Sequence, residues 1–161
     1  MIEVRSLTED DLGWKQESLA RGWGSTLVAR LGGLVDAMAL DGFMALVDGT
    51  PAGLLTYAID DDELEVVTIH SEAPGLGVGR ALMDAARAKA LEAGVCRMWL
   101  ITTNDNSRAF RFYQQWGMDL AALHHDAVTR SRAALKPSIP LTGNDHVPIR
   151  HELEFERRLV P

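Results

Sequence analysis

Gly75, Gly77 and Gly79 lie within a five-residue span of the segment Ile69-His70-Ser71-Glu72-Ala73-Pro74-Gly75-Leu76-Gly77-Val78-Gly79-Arg80-Ala81-Leu82. Glycine lets a backbone turn sharply and approach a ligand with no Cβ in the way. The unpaired N–H groups of a helix start, with the helix dipole, favour a phosphate. The segment runs from strand to glycine turn to helix, so its local chemistry is a backbone cradle for a pyrophosphate. A glycine-rich turn that only packs a helix on a sheet is the plain alternative. A Walker loop would need Gly-Lys-Ser/Thr, and here Gly79 is followed by Arg80-Ala81. A Gly-x-Gly-x-x-Gly dinucleotide fingerprint fails as well, because its third glycine would fall on Arg80 or Leu82.

A second constellation lies downstream, in Asn106-Ser107-Arg108-Ala109-Phe110-Arg111-Phe112-Tyr113-Gln114-Gln115-Trp116-Gly117-Met118. The first segment resembles the acyl-CoA pyrophosphate loop of the GNAT family of N-acetyltransferases, Gln/Arg-x-x-Gly-x-Gly/Ala, with Pro74 at the first position. The second is similar to the family's later signature, Asn-x-x-Ala-x-x-x-Tyr-x-x-x-Gly-Phe, with Met118 in place of Phe. The resemblance implies that acetyl-CoA donates acetyl directly to an amine in a ternary complex. It also implies that Ile69, His70, Gly75, Leu76, Gly77, Val78, Gly79, Arg80 and Asn106 contact that co-substrate. An amine attacking a thioester expels a thiolate, which an O–H donor can protonate as it leaves. Tyr113 matches the tyrosine that often has this role in the family; a core aromatic in line with Ala109 and Trp116 is the alternative. Pro74 has no N–H to offer, which keeps open an acyl-CoA-binding sensor without turnover, or an interaction module on the same fold.

An ammonium acceptor must also lose a proton. Family members often use a carboxylate on the central strand, and Glu65 and Glu63, two apart in a strand, share a face. Glu65 is the first candidate base, with Glu63, an ordered water or His70 as alternatives, and Asp60-Asp61-Asp62 is a solvated turn that could attract a cation. His124-His125-Asp126 suggests a metal at first sight. Adjacent strand histidines face opposite sides, however, so no metal is expected. Cys96 is read as a core residue at the start of a buried strand. Arg130, Arg132 and Lys136 form a small basic helix, read as a solvated face, with a contact to the co-substrate's ribose phosphate or to an acidic substrate as the alternative.

The elements that must position these residues follow from periodicity and punctuation. Ile2 to Arg5 form a short strand and Glu9 to Ala20 a helix ended by Gly22 and Gly24. Residues 25–40 read as a strand followed by a helical turn or an irregular loop. Phe43–Val47 and Ala52–Ile59 make a hairpin around Asp48-Gly49, and Leu64–His70 is the third strand. Helices are expected over Gly79–Ala93 and Ser107–Trp116, with the buried strand Arg97–Thr103 between them. Leu120–His124 is a strand, and Ala127–Leu135 a helix that Pro137 stops. Ile149–Leu159 alternates Ile149, His151, Leu153 and Phe155 against Arg150, Glu152, Glu154 and Glu156, which predicts one buried face. The expectation is α/β (mixed α+β): a single twisted mixed sheet of about 6–7 strands with helices on both faces. The resemblance adds that two central strands splay to admit the pantetheine arm.

The 161 residues fit one domain, 1–161, with a Pro-punctuated loop over 137–148. Residues 127–148 resemble an insertion that walls the acceptor site or makes a dimer contact, giving a homodimer. The net charge of −7 argues against nucleic acid as a partner, because phosphate neutralisation needs a basic face. It favours a cationic small-molecule amine or a protein amino group as acceptor. One cysteine excludes an intrachain disulfide. No apolar run approaches the ~18 residues of a membrane span, and the amino terminus lacks a secretory pattern, so a cytoplasmic protein is expected.

Overall fold

The computed structural model describes residues 1–159. Nine strands and four α-helices occur among them. Seven strands form one sheet in the order β1-β4-β5-β6-β7-β9-β8. These are β1 (Ile2–Ser6), β4 (Asp41–Val47), β5 (Thr50–Asp60), β6 (Glu63–Ser71), β7 (Arg97–Thr103), β8 (Asp119–His124) and β9 (Glu152–Arg158). β2 (Leu27–Arg30) and β3 (Gly33–Asp36) pair separately as a hairpin. The helices are α1 (Leu12–Trp23), α2 (Val78–Glu92), α3 (Ser107–Trp116) and α4 (Ala127–Ala134). No helix among the described residues is long and apolar enough to cross a membrane.

The described residues divide into two compact units, the first holding Met1–Val28, Asp36–Met98 and residues 158–159, the second Ala29–Val35 and Trp99–Arg157. In the first, β1, β4, β5 and β6 form an antiparallel meander. Asp48 and Gly49 both take positive φ between β4 and β5, as a two-residue hairpin turn requires. Leu54, Leu55, Leu64 and Val66 bury the sheet, and α2 seals it with Val78, Leu82, Met83, Ala86 and Ala90. β6 carries a bulge: Thr56 pairs with Thr68 but Tyr57 pairs with Val66, so Val67 is the extra residue. Such bulges re-aim side chains and recur beside active sites. The second unit centres on Phe155, Leu100, Trp116 and Tyr113.

Several expectations need correction. α1 runs through Gly22 and ends at Gly24, whose φ of 68° is the left-handed C-cap. Residues 25–40 hold the expected strand, as β2, and the expected helical turn, as a 3₁₀ turn over Ala37–Ala39, but between them lies an unexpected strand, β3, that pairs with β2. The turn is pinned from α1, where the buried Lys15 ammonium donates to the carbonyls of Met38 (3.0 Å) and Leu40 (2.6 Å). Cys96 is exposed, not core; Val95 takes the buried place. The alternation predicted for β9 fails at Glu152, which is buried along with Phe155. The basic helix is not simply solvated, since Arg132 donates to the carbonyls of Ile139, Pro140 and Ile149 and so ties down the following loop.

Candidate active site

In the first unit, β6 passes through Ser71–Gly77 into α2. Gly75 and Gly77 take φ of 82° and 85°, the left-handed region where any other residue is strained. Gly77 is the N-cap of α2, and its carbonyl accepts the Ala81 N–H at 3.0 Å. Among the described residues the N–H groups of Gly75, Leu76 and Gly77 donate to no backbone carbonyl. Those of Val78, Gly79 and Arg80 belong to the first helical turn, which has no intrahelical acceptor. A row of six donors thus opens where the loop is exposed, while Val78, just 1% exposed, anchors it beneath.

Gly53 on β5 makes that anchor possible, and the sequence reading missed it. A Cβ at Gly53 would lie 2.4 Å from Val78 Cγ1 and 3.0 Å from Leu82 Cδ1, so only glycine lets the start of α2 lie this close to the sheet. The lip of the loop is also fixed. The Glu72 N–H bonds to the Ala52 carbonyl at 2.8 Å, and the Glu72 carboxylate accepts from Arg21 of α1. The half-buried His70 imidazole packs against Gly22 and edge-on to Trp23, 6.1 Å between ring centres.

Glu65 lies on the same strand, buried, opposite Ala58 and beyond the bulge from Thr68. Glu63 is engaged elsewhere, its carboxylate 3.2–3.3 Å from the Arg97 guanidinium. Asp61 sits in the turn after β5 with positive φ, and the Asp62 carbonyl accepts the N–H groups of Cys96 and Arg97.

In the second unit, Asn106 caps α3, its Oδ1 accepting the Ala109 N–H at 3.1 Å. Tyr113 follows seven residues on, about 10 Å along the helix axis. Its ring packs against Phe112 and Phe155, and no hydrogen bond to its hydroxyl is found among the described residues. Burial alone pushes its phenol well above the ordinary tyrosine range, so the proton stays on oxygen at neutral pH. The tyrosine is therefore both a core aromatic and an available O–H donor.

The residues before α3 form a hub that sequence patterns did not disclose. Asn104 Oδ1 accepts the N–H groups of Arg150 (2.8 Å) and His151 (2.9 Å), and its Nδ2 donates to the Pro148 carbonyl. Buried Asp105 accepts from Thr103 Oγ1 (2.5 Å) and from the backbone and side-chain N–H of Asn144 (3.1 Å each). A Cβ at Gly143 would sit 2.0 Å from Asp105 Oδ2, so the loop closes on Asp105 only through glycine. Nearby, Asp126 is engaged by Arg150 and His125, and its N–H donates to His151 Nδ1 at 2.8 Å.

Ile69, His70 and Gly75–Arg80 thus share one strand–loop–helix, with Glu65 on the same strand, and Asn106 and Tyr113 share one helix. The chain belongs to the GNAT acetyltransferase family, whose sequence pattern it matches over residues 12–118. Protein YdhI of Bacillus subtilis (strain 168) is 37% identical over 139 residues, 86% of either chain. An IAA acetyltransferase from Bacillus cereus ATCC 14579 superposes with a TM-score of 0.78 at 13% identity, over 99% of this chain and 100% of that one. A Bacillus subtilis acetyltransferase in complex with CoA gives a TM-score of 0.69 at 17% identity, over 99% and 98%. At these identities the two structural likenesses speak for the fold.

Proposed function

We propose that the protein is an N-acetyltransferase that transfers acetyl from acetyl-CoA to an amine by direct attack in a ternary complex, the two units acting as one catalytic domain. The observation that carries this reading is the row of N–H groups from Gly75 to Arg80, unpaired where β6 turns into α2. Residues 1–120 hold 18 acids and 10 bases, so a pyrophosphate here rests on backbone donors and the helix dipole more than on basic side chains. Ile69 and His70 lie at the strand end that leads into the cradle, and Asn106 offers its Nδ2 once Oδ1 has capped α3.

In the reaction the amine lone pair forms the new N–C bond at the thioester carbonyl, and the C–S bond breaks. Tyr113 gives its proton to the departing sulfur. Glu65 takes the proton that the nitrogen loses as that bond forms, and its burial keeps the carboxylate out of bulk water. Glu65 is preferred over Glu63 because it is the buried carboxylate of the two on β6. The work is placed in the cytoplasm, on a cationic amine. The alternative, an acyl-CoA sensor without turnover, is favoured by one feature, Pro74 at a place where a donor residue is usual.

A thermal-shift titration with acetyl-CoA, then an amine panel read by free-thiol release, tests the reading. Stabilisation by acetyl-CoA together with amine-dependent thiol release is expected. Stabilisation without thiol release would establish the sensor, and no stabilisation would overturn both.

A further inference from the structure

β8 (Asp119–His124) is the last strand of its sheet and pairs with β9 on one side only. Among the described residues no backbone group outside β9 bonds to residues 119–124, so the outer row of N–H and C=O groups is open to a further strand. Natural sheets usually blunt such an edge with Lys, Pro or inward-pointing charges. The sequence Asp-Leu-Ala-Ala-Leu-His has no Lys, Arg or Pro, and it presents Leu120 (47% exposed), Ala121 and Leu123 (56%) at the surface. An exposed apolar edge of this kind suits strand addition.

The register on β9 selects the strand that fits. Leu120 stands opposite Phe155 and Leu123 opposite Leu153, with Ala121 as the extra residue of a bulge between them. Leucines three apart would face opposite sides of a regular strand. The bulge brings both to the Phe155 side. Asp119 and His124, opposite Glu156 and Glu152, lie on the other side. Directly opposed residues of an antiparallel pair share a face. A second β8, related by a twofold axis between Ala121 and Ala122, meets that condition throughout. It sets each Leu120 against Leu123 of the other copy and each Asp119 against His124 of the other copy. The two bulges then oppose each other with only alanine side chains between them. The charges match as well. Asp119 stands across from Glu156 within the chain, an unfavourable like-charge pair, and the second copy brings a histidine to its other flank.

We propose that the protein forms a homodimer through β8: two copies join their edges antiparallel, Leu120 to Leu123 and Asp119 to His124, into one continuous sheet. The sequence pointed to residues 127–148 for a dimer contact. There, however, Arg132 is spent on the carbonyls of Ile139, Pro140 and Ile149, whereas β8 keeps its outer backbone groups and its leucines for a neighbour. Each pair occurs twice about the axis, so every contact counts double. Two six-residue strands cover less than the roughly 1,600 Å² of a standard interface. The dimer is therefore a weak one that forms with rising concentration.

Sedimentation velocity over about 5–500 μM protein measures the association. The wild type passes from monomer to dimer across that range. Leu123→Lys places a charge at each junction and weakens the dimer by about tenfold or more. Leu123 is more than half exposed, so the monomer keeps its fold, which thermal melting checks. Asp119→Lys relieves the pair with Glu156 and leaves the monomer at least as stable. It sets a cation against His124 of the other copy, however, and weakens the dimer by about threefold or more. Oxidative cross-linking in a Cys96→Ser background reads the register. A mixture of the Leu120→Cys and Leu123→Cys variants forms a disulfide between copies, because directly opposed Cβ atoms come within its reach. Neither variant alone does so. A wild type that stays monomeric overturns the proposal. A dimer left unweakened by either lysine variant does the same, since its contact then lies elsewhere. So does a disulfide that forms as readily in one cysteine variant alone as in the mixture, or in none of them.

Discussion

The two halves of the candidate machinery are held in shape by opposite means. In the first unit the cradle is defined by what is missing: Gly75 and Gly77 turn the chain through left-handed φ, and Gly53 clears room for Val78 and Leu82. In the second, the approach to α3 is defined by side chains that reach across the sequence. Asn104 gathers residues 148–151, Asp105 gathers Asn144, and Arg132 ties the carbonyls of Ile139, Pro140 and Ile149. A backbone site offers a ligand fixed dipoles that no rotamer change can remove. A side-chain site can be retuned by substitution.

That contrast orders the experiments. The largest effect is expected at Tyr113, whose hydroxyl contributes chemistry and no hydrogen bond to the fold. Tyr113→Phe should lower kcat by about 10²–10⁴-fold and leave thermal stability and acetyl-CoA affinity close to wild type. Because burial holds the phenol protonated, the wild type should show no alkaline fall in kcat from Tyr113 up to about pH 9. Equal kcat values in the two proteins across that range would remove the general-acid assignment.

Next comes the backbone device itself. Gly53→Ala forces a methyl group against Val78 at the first residue of α2. A cost of about 1–3 kcal/mol is expected from overpacking, read by urea denaturation. A weakened acetyl-CoA affinity should accompany it, because the helix start carries the donors. A stable variant with unchanged affinity would show that the cradle tolerates a shift of α2. The equivalent change in the other half is Asp105→Ala, which leaves Asn144 donors without their acceptor at a cost of about 1–3 kcal/mol. Here the acetyl-CoA affinity is expected to hold and kcat to fall, since the hub adjoins the cap of the helix that bears Tyr113. Loss of acetyl-CoA binding in Asp105→Ala would erase the distinction between the halves.

The same contrast explains what could be read from the chain alone. Gly75, Gly77, Gly94 and Gly117 announce themselves because φ above zero is nearly reserved for glycine, and all four take it. β7 and α3 were bounded as expected because apolar period and caps are local signals. The hub was invisible because Asp105 meets Asn144 39 positions away. Gly53 gave no signal either, since its need for glycine arises only when α2 lies across β5. The β2–β3 hairpin was missed because its turn starts at Leu31, a residue that rarely takes φ of 47°. Glu152 was assigned to the wet face by alternation, which a strand covered on both sides does not obey.

The smallest effects, and the sharpest in sign, come from two buried carboxylates, one in each half. Asp11 is held well below the usual range, chiefly by the Arg5 guanidinium at 2.7 and 2.9 Å and then by the Thr8 N–H and hydroxyl, against the cost of burial. Glu152 is pushed up, chiefly by burial, although the Leu31 N–H and the charges of His124, Arg30 and Arg130 oppose the shift. A folded-state pKa below the unfolded value gives stability that is present above about pH 4 and lost as pH falls further. A folded-state pKa above the unfolded value gives stability that is full below about pH 4 and lost as pH rises through the folded pKa. Asp11→Asn should therefore be less stable than wild type at pH 7, with the deficit narrowing on acidification. Glu152→Gln should be the more stable protein at pH 8, because it buries no charge, and its advantage should vanish near pH 4. Urea midpoints across pH 3–8 would measure both, and a Glu152→Gln advantage that grows on acidification would reverse the assignment of burial as the dominant cause.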